Sequence, residues 1–192
     1  MSGCALFQPK KFSEYKEGTW QGKVLIHDIK KAKRGIVNLK VQAIDGQKLR
    51  MDVTSPVGSH IASVLLDGNE LQYLNVSSKT LTTTKSNREA LRELLKVPIE
   101  PQALYNVFFD HPMEDKNWSC ETEPNGFLKS CKDLKSGVKI EWVSREGAKR
   151  TIDIQHPTAS IQMNLYSFES KIDDLNKAFT LKVPSSFKVR KL

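Results

Sequence analysis

The feature that most limits the fold is an alternation of apolar and polar residues with a period of two, repeated along most of the chain. In residues 37–43 every second residue is apolar, and the pattern recurs at residues 49–53 and 138–142. This is the period of a β-strand with one dry face and one wet face. Short turn signals such as Asp45-Gly46 and Ser136-Gly137 separate the segments, which favours antiparallel neighbours.

The number of such segments predicts a curled sheet. Residues 60–66, 70–76, 79–84, 152–154, 161–165 and 179–183 continue the series. Together the segments predict about ten or eleven strands, more than an open twisted sheet usually holds without curling. We therefore expect a mainly β protein of the α+β class, an incomplete antiparallel β-barrel with helices covering or plugging its mouth.

The apolar period becomes helical between residues 86 and 108. Ser86 and Glu89 form the pattern of a capping box, and Pro98 ends the first apolar run. A second helix is predicted to start at Pro101, a residue that suits the first helical position. The apolar residues assigned to this helical lid are Leu91, Leu94, Leu95, Leu104 and Phe108. Two amphipathic helices need an apolar surface, and the dry face of the sheet offers one.

Composition indicates one folded domain. The chain has 192 residues and a net charge of +8, and its sequence contains no apolar run long enough for a transmembrane helix. We predict a flexible tether at residues 1–18 and a single, monomeric domain at residues 19–192. Basic residues cluster at 30–34 and 188–191, but no aromatic residues interleave with them, so we expect solvated turns and no nucleic-acid partner.

The three cysteines divide into a pair and a single residue. Cys120 and Cys131 bracket the turn signal Pro124-Asn125-Gly126, so a hairpin there brings them onto facing strands. A disulfide between them would contribute roughly 3 kcal/mol and would persist only in an oxidising compartment such as a bacterial periplasm. Two unpaired thiols are the alternative. The cysteines and four histidines show no metal-ligand spacing, so we expect neither a metal nor another cofactor.

Two short stretches carry functional hypotheses. Ser2-Gly3-Cys4 matches the end of a bacterial lipoprotein signal peptide, which makes Cys4 a candidate for lipidation; an accidental match is the alternative. In the stretch Pro56-Val57-Gly58, proline and glycine favour a turn that leaves Val57 at an exposed tip. An ordinary β-turn is the alternative for the second stretch.

The order of these elements resembles the LolB family of outer-membrane lipoproteins. The resemblance rests on the loop at residues 54–59, the following strands, the helix at 88–95, the sequence Val-Pro-Ile at 97–99 and the helix reaching Phe108. It covers roughly residues 50–112. It implies an unclosed barrel around an apolar cavity that accepts acyl chains of lipoproteins or other lipids. It also implies a LolA-like periplasmic carrier as partner, and delivery of lipoproteins to the outer membrane.

By the same resemblance, Val57 corresponds to the family's protruding leucine and Cys4 to its lipid-bearing cysteine, with the protein on the periplasmic face of the bacterial outer membrane. Valine is smaller than leucine, and the cysteine pair is not a familiar LolB feature. The dry-face residues that we expect in the cavity are Leu39, Val41, Met51, Ile140, Trp142, Ile152 and Met163. For each of these, a plain core position is the alternative.

Other classes of function remain open from the residues alone. A carrier of another lipid or a glycolipid would share this fold. A structural envelope protein would fill its interior with its own side chains. We expect no enzyme, because the four histidines lie far apart in the sequence and no Gly-x-Ser-x-Gly nucleophile motif is present.

Overall fold

The structure is a computed structural model that describes residues 8–192, except for the side chains of Glu93 and Leu94. Cys4 lies outside this range. A 3₁₀ turn at Phe12–Glu14 precedes twelve strands and three helices. The strands are β1 (Glu17–Asp28), β2 (Lys33–Ile44), β3 (Lys48–Thr54), β4 (His60–Asp67), β5 (Glu70–Asn75), β6 (Thr80–Lys85), β7 (Trp118–Thr122), β8 (Leu128–Asp133), β9 (Lys139–Glu146), β10 (Lys149–His156), β11 (Ala159–Glu169) and β12 (Lys188–Lys191). The helices are α1 (Arg88–Leu95), α2 (Pro101–Phe109) and α3 (Leu175–Ala178).

All twelve strands belong to one open sheet, in the order β12-β6-β5-β4-β3-β2-β1-β11-β10-β9-β8-β7. Neighbours are antiparallel except β12, which runs parallel to β6. The predicted incomplete barrel is confirmed, with twelve strands instead of ten or eleven. β7 and β12 are the two ends of the sheet, because no ladder joins them.

The two longer helices lie on the concave, dry side of the sheet. Seven of the nine residues of α2 are buried, and Pro101 is its first residue as predicted. The capping pattern predicts Ser86 as the cap of α1, but this is wrong. The side chain of Asn87 accepts from the backbone N–H of Ala90, while the Ser86 N–H donates to the carbonyl of Asn69 in the β4–β5 turn.

The strand predicted at residues 179–183 is also wrong. Phe179 and Leu181 are buried, but in a segment that crosses the outer face of the sheet and packs against Leu65, Leu74 and Leu81. The alternation is real, since one side of this segment is dry. It arises because the segment packs on the face of the sheet, although it is not one of the strands of the sheet. The side chain of Arg50 fixes the segment through hydrogen bonds to the carbonyls of Lys177, Ala178 and Thr180.

The ordered body begins before residue 19. Phe12 is 1% exposed within the main core, and β1 starts at Glu17, so part of the stretch predicted as a tether belongs to the fold. At the free end of the sheet, Cys120 of β7 and Cys131 of β8 are directly opposite and form a disulfide, as predicted. This bond secures the edge strand β7 to its only neighbour in the sheet.

Candidate functional site

One end of the barrel interior is filled with aromatic rings; we call it the filled end. It lies near the β2–β3 turn, where Asp45 accepts a hydrogen bond from His111, which follows α2. Trp20 is fully buried there, with its ring centroid 5.7 Å from Phe108, 5.1 Å from Phe109 and 6.1 Å from Phe12. Edge-to-face and tilted contacts of this kind stabilise beyond the burial of area.

A buried ionic cluster holds the C-terminus of α2 at the filled end. Asp110 accepts from Arg150 at 2.6 Å and from Arg145 at 2.8 Å, and Arg150 also donates to the carbonyl of Phe108 at 2.6 Å. The guanidinium of Arg150 lies 4.0 Å from the centre of the Phe12 ring. Burial lowers the pKa of Arg150 to about 10, against the opposing charge of Asp110, so this arginine stays cationic at neutral pH.

The other end of the interior holds a cavity of about 180 Å³; we call it the hollow end. Its walls are formed by β1 to β5, β10, β11 and both longer helices. The lining contains no charged residue, and its only side-chain oxygen is the tyrosine hydroxyl. The lining residues are Val24, Ile26, Val37, Leu39, Met51, Val53, Ala62, Val64, Tyr73, Leu95, Leu104, Phe108, Ile154, Ile161 and Met163.

The cavity faces solvent at one rim of the barrel. Along each of β1, β2 and β3, the lining residue nearer this rim is half-buried and its deeper neighbour is buried; Met51 and Val53 are one such pair. The rim consists of the β1–β2, β3–β4 and β10–β11 turns. The Ile29 N–H donates to the carbonyl of Thr158, which joins the first turn to the third.

The structure brings together only part of the cavity predicted from the sequence. Leu39, Met51 and Met163 line it, whereas Val41, Ile140, Trp142 and Ile152 are buried in the core without lining it. Of the predicted lid, Leu95, Leu104 and Phe108 line the cavity and Leu91 is buried beside it. The side chain of Leu94 lies outside the described residues.

Sequence reasoning missed the wall contributed by β4. Ala62 and Val64 line the cavity, but residues 62–66 are all buried, so their mostly apolar character does not show which of them face the cavity. The cause is the C-terminal segment, which buries the outer face of β4 as well. Strand β1 contributes Val24 and Ile26, and there too the alternation is broken, because Val24, Leu25 and Ile26 are three consecutive apolar residues.

The loop between β3 and β4 stands at the cavity rim. Val57 is 89% exposed, and Gly58 has a φ of +88°, a conformation that favours glycine. Ser55 closes the loop, because its N–H donates to the carbonyl of Ser59 and its hydroxyl accepts from the Ser59 N–H. Val57 therefore projects from a closed turn, between the exposed residues Pro56 and Gly58.

The start of helix α1 is held by the ion pairs of Arg88. Arg88 pairs with Glu100 at 2.7 Å and with the buried carboxylate of Asp133 at 3.1 Å. Burial alone raises the pKa of Asp133, but hydrogen bonds from Ser136 and Lys135 and the charge of Arg88 outweigh it and hold that pKa below its usual value. The Arg88–Asp133 pair thus ties the start of α1 to the β8–β9 turn.

A polar groove adjoins the cavity between α1 and the strands β5 and β6. Tyr73 lines both spaces. In the groove the inner face of β6 presents Thr82 and Thr84, and Asn75 donates from its side chain to the Tyr73 hydroxyl at 2.9 Å. The inner face of the sheet therefore changes from aliphatic to hydroxyl-bearing at this point.

A serine, a histidine and an aspartate meet on the outer face of β3 and β4. Ser63 donates to Asp52, and the Nε2 of His60 lies 3.0 Å from the Ser63 hydroxyl. Because the single serine proton goes to Asp52, His60 must be the donor to Ser63. A nucleophilic serine donates to its histidine, so the direction here is the reverse. Ser63 is also 1% exposed.

Within residues 8–192, no group of three or more His, Cys, Asp or Glu side chains is arranged to hold a metal ion. No helix in the same part of the chain is long and apolar enough to cross a membrane.

No protein-family model matches the chain, and no characterised protein matches it in sequence. The fold is similar to that of a LolA superfamily protein from Nitrosomonas europaea, with a TM-score of 0.56 and 8% identity over 89% of this chain and 94% of that one. At this identity the likeness shows the fold alone, a mainly β architecture built on an open sheet.

Two further solved structures are similar at a TM-score of 0.49, too low to carry an argument. One is a conserved protein from Thermus thermophilus, 8% identical over 91% of this chain and 90% of that one. The other is a domain from Vibrio parahaemolyticus inferred to be an outer membrane lipoprotein-sorting protein, 7% identical over 85% of this chain and 88% of that one.

Proposed function

We propose that the protein binds acyl chains in the hollow end, accepts acylated lipoproteins from a LolA-like periplasmic carrier and inserts them in the outer membrane. The observation that carries this proposal is the cavity of about 180 Å³, whose lining offers hydrocarbon surface and no charge. A structural envelope protein would need no such space. Similarity to a LolA superfamily fold supports the same class of ligand.

The energetics need no catalytic residue. Each methylene removed from water is worth about 0.8 kcal/mol, so an apolar cavity competes for an acyl chain with a carrier before it and a bilayer after it. Direction follows from the relative affinities of the three. We accordingly propose transfer without covalent chemistry, and we assign no catalytic role to Ser63 or its partners.

A whole acyl chain needs more space than the cavity offers. An apolar cavity of about 150 Å³ accommodates a molecule the size of benzene, and this one is of about 180 Å³. We take helix α1 as the element that gives way, because Arg88, which pairs at its start, is partly exposed, whereas the Asp110 cluster at the end of α2 is buried. We propose that α1 moves outward as cargo enters.

The proposed location is the periplasmic face of the outer membrane, with the protein anchored through lipid on Cys4. The Cys120–Cys131 disulfide supports an oxidising compartment. Mass spectrometry of protein isolated from a bacterial membrane fraction tests the anchor. We expect Cys4 to be N-terminal and to carry acyl groups; an unmodified cysteine within a longer chain would contradict it.

Cargo binding is tested with a triacylated lipopeptide and native mass spectrometry. We expect a one-to-one complex, and Ala62→Leu, which fills the cavity, should weaken it at least tenfold. Val143→Leu is the control, because Val143 is 59% exposed and lies outside the cavity. Equal binding by both variants would contradict the proposed site.

Delivery is tested separately through the loop. We expect Val57→Glu to bind lipopeptide normally but to lower its transfer to vesicles about tenfold, since a carboxylate at the tip opposes contact with acyl chains. Val143→Glu adds the same charge at another exposed valine and should transfer normally. Normal transfer by Val57→Glu would remove the loop from the proposal.

The polar groove favours a second candidate, a carrier of lipids with a hydroxyl-rich head group such as a glycolipid. Thr82 and Thr84 beside Tyr73 could hydrogen-bond such a head group while its chain occupies the cavity. The two candidates can be separated by comparing the binding of dodecyl maltoside, which has a sugar head group, with that of dodecanoate, which has a chain of the same length and no sugar. If the second holds, Thr82→Val weakens binding of the maltoside only, whereas Thr83→Val changes neither.

A further inference from the structure

The hairpin joining β1 and β2 projects past its neighbour at the cavity rim. Strand β2 begins at Lys33, but its pairing with β3 begins only at Asn38, opposite Thr54. Residues 33–37 therefore have a free edge on that side, about 16 Å long at 3.3 Å per residue. The hairpin forms part of the same rim as the Val57 loop, because the Asn38 side chain donates to the carbonyl of Ser55.

The hairpin carries four positive charges and one carboxylate. Lys30, Lys31, Lys33 and Arg34 are all exposed, and among residues 8–192 none of the four forms an ion pair. The one carboxylate in the hairpin, Asp28, accepts from the backbone N–H of Lys31. A cluster of cations without protein partners at a projecting tip is available for an anionic partner outside the protein.

Large aliphatic side chains are exposed among these charges. Ile29 is 45% exposed and Ile36 is 56% exposed, and Val57 on the neighbouring loop is 89% exposed. Three exposed aliphatic residues at one rim are unlike the single exposed apolar residues that most surfaces carry. A soluble acidic protein would satisfy the lysines, but it would give the isoleucines no hydrocarbon to enter.

We propose that the β1–β2 hairpin docks the cavity rim on a bilayer that contains anionic phospholipid. Lysine and arginine near such a surface are attracted by its potential, and the isoleucines can enter the boundary between head groups and acyl chains. The inference deepens the proposed function by naming the surface on which the cavity would open. It makes the hairpin a second membrane contact beside the Val57 loop. In this orientation the cavity rim is directed toward the lipid.

The test is sedimentation of the full chain with vesicles, in a Cys4→Ser background so that no acyl anchor contributes. We expect partition onto vesicles of phosphatidylglycerol and phosphatidylethanolamine to fall about 30-fold when Lys30 and Lys31 are both changed to glutamine. Both side chains are exposed, so the fold should be kept. Vesicles of phosphatidylcholine should bind the parent weakly, and raising the salt concentration should release it from anionic vesicles.

The matched control is Lys188→Gln with Lys191→Gln in β12, which removes the same charge from another exposed cluster. We expect the partition of this variant onto anionic vesicles to fall less than threefold. Equal losses from both pairs, or equal binding to phosphatidylcholine and phosphatidylglycerol, would overturn the proposal. If the variant changed at Lys30 and Lys31 bound vesicles as the parent does but failed to take up cargo from a carrier, the docking proposal would also be overturned, in favour of an acidic protein partner.

Lipopeptide binding in vesicle-free solution keeps the two proposals separable. The hairpin variants should bind lipopeptide as the parent does, because none of the changed residues lines the cavity. If the parent binds vesicles but no lipopeptide, the proposed function fails and the docking surface stands. If it binds lipopeptide but does not distinguish anionic from neutral vesicles, the docking surface fails alone.

Discussion

At the filled end, Trp20 and Val41 on β1 and β2 face each other and are fully buried against aromatic rings. Four residues away on the same two strands, Val24 and Val37 also face each other, but they line open space. The strands, their pairing and their dry face are continuous between the two ends. The two ends differ in what covers the dry face of these strands. Aromatic rings and a buried ionic cluster fill one end, whereas mostly aliphatic side chains surround a cavity at the other.

This difference underlies our proposal that the filled end stabilises the fold and the hollow end binds acyl chains. Close-packed interiors resist any change of volume, whereas a void tolerates added groups.

The largest effect is expected at Asp110. Asp110→Ala leaves Arg145 and Arg150 buried without their shared carboxylate, which should lower the free energy of unfolding by about 3–5 kcal/mol. Urea denaturation measures the loss. Asp45→Asn, which removes a half-buried partner of His111, serves as control and should cost about 1 kcal/mol or less. A loss below 1 kcal/mol for Asp110→Ala would mean that the filled end does not anchor the fold.

The disulfide lies at the sheet edge, apart from both ends. Replacing Cys120 and Cys131 with serine should lower the free energy of unfolding by about 3 kcal/mol, because the bond closes a loop of about 12 residues in the unfolded chain. Lipopeptide affinity, measured where the variant is still folded, should not change. A lost affinity would show that the hollow end depends on the edge strand.

Two buried alanines compare the ends directly. Ala43 lies in the packed core and is 0% exposed, whereas Ala62 lines the cavity. Ala43→Leu should destabilise by about 1–3 kcal/mol through overpacking. Ala62→Leu should leave stability unchanged or slightly higher, because the added methyl groups enter a void. Equal destabilisation in thermal or urea unfolding would contradict the division into two ends.

The smallest effect concerns the pair that holds α1. Arg88→Met should lower stability by about 1 kcal/mol at neutral pH, since Arg88 is partly exposed, and should speed lipopeptide uptake. Arg88 helps to lower the pKa of Asp133 in the folded protein. The pair therefore stabilises the folded state at pH values above the pKa of about 3.9 that an aspartate has in the unfolded chain, and this stabilisation is lost as the pH falls through the lower pKa of the folded state. The difference in the free energy of unfolding between Arg88→Met and the parent should therefore shrink below about pH 4. A difference that grows in acid would contradict this assignment.

Much of the fold was predictable from local patterns. Period two located most strands, Pro101 marked the start of α2, and the turn between Cys120 and Cys131 gave the disulfide. These signals are local because each depends on one strand, one turn or one helix end. The strand wrongly predicted at residues 179–183 shows the limit: a segment lying on a sheet has one dry side, and therefore the same alternation as a strand inside it.

The site was less predictable than the fold. Leu39 and Val41 are equivalent in sequence, yet only Leu39 lines the cavity, because the position of α2 decides which inner-face residues are covered. The basic hairpin was read from sequence as a solvated turn. The hairpin lies beside Val57 and the cavity mouth only because β1, β2 and β3 pair in the folded sheet. This proximity is not visible in the sequence.

The most direct test of the central claim uses the methionines as probes. Met51 and Met163 line the cavity, whereas Met113 is buried in the core away from it. In protein labelled with ¹³C at the methionine methyl groups, a triacylated lipopeptide should shift the signals of Met51 and Met163 and leave that of Met113 in place. Signals are assigned by Met51→Leu and Met163→Leu. No shift at the two cavity methionines, or an equal shift at Met113, would contradict an acyl-binding site at the hollow end.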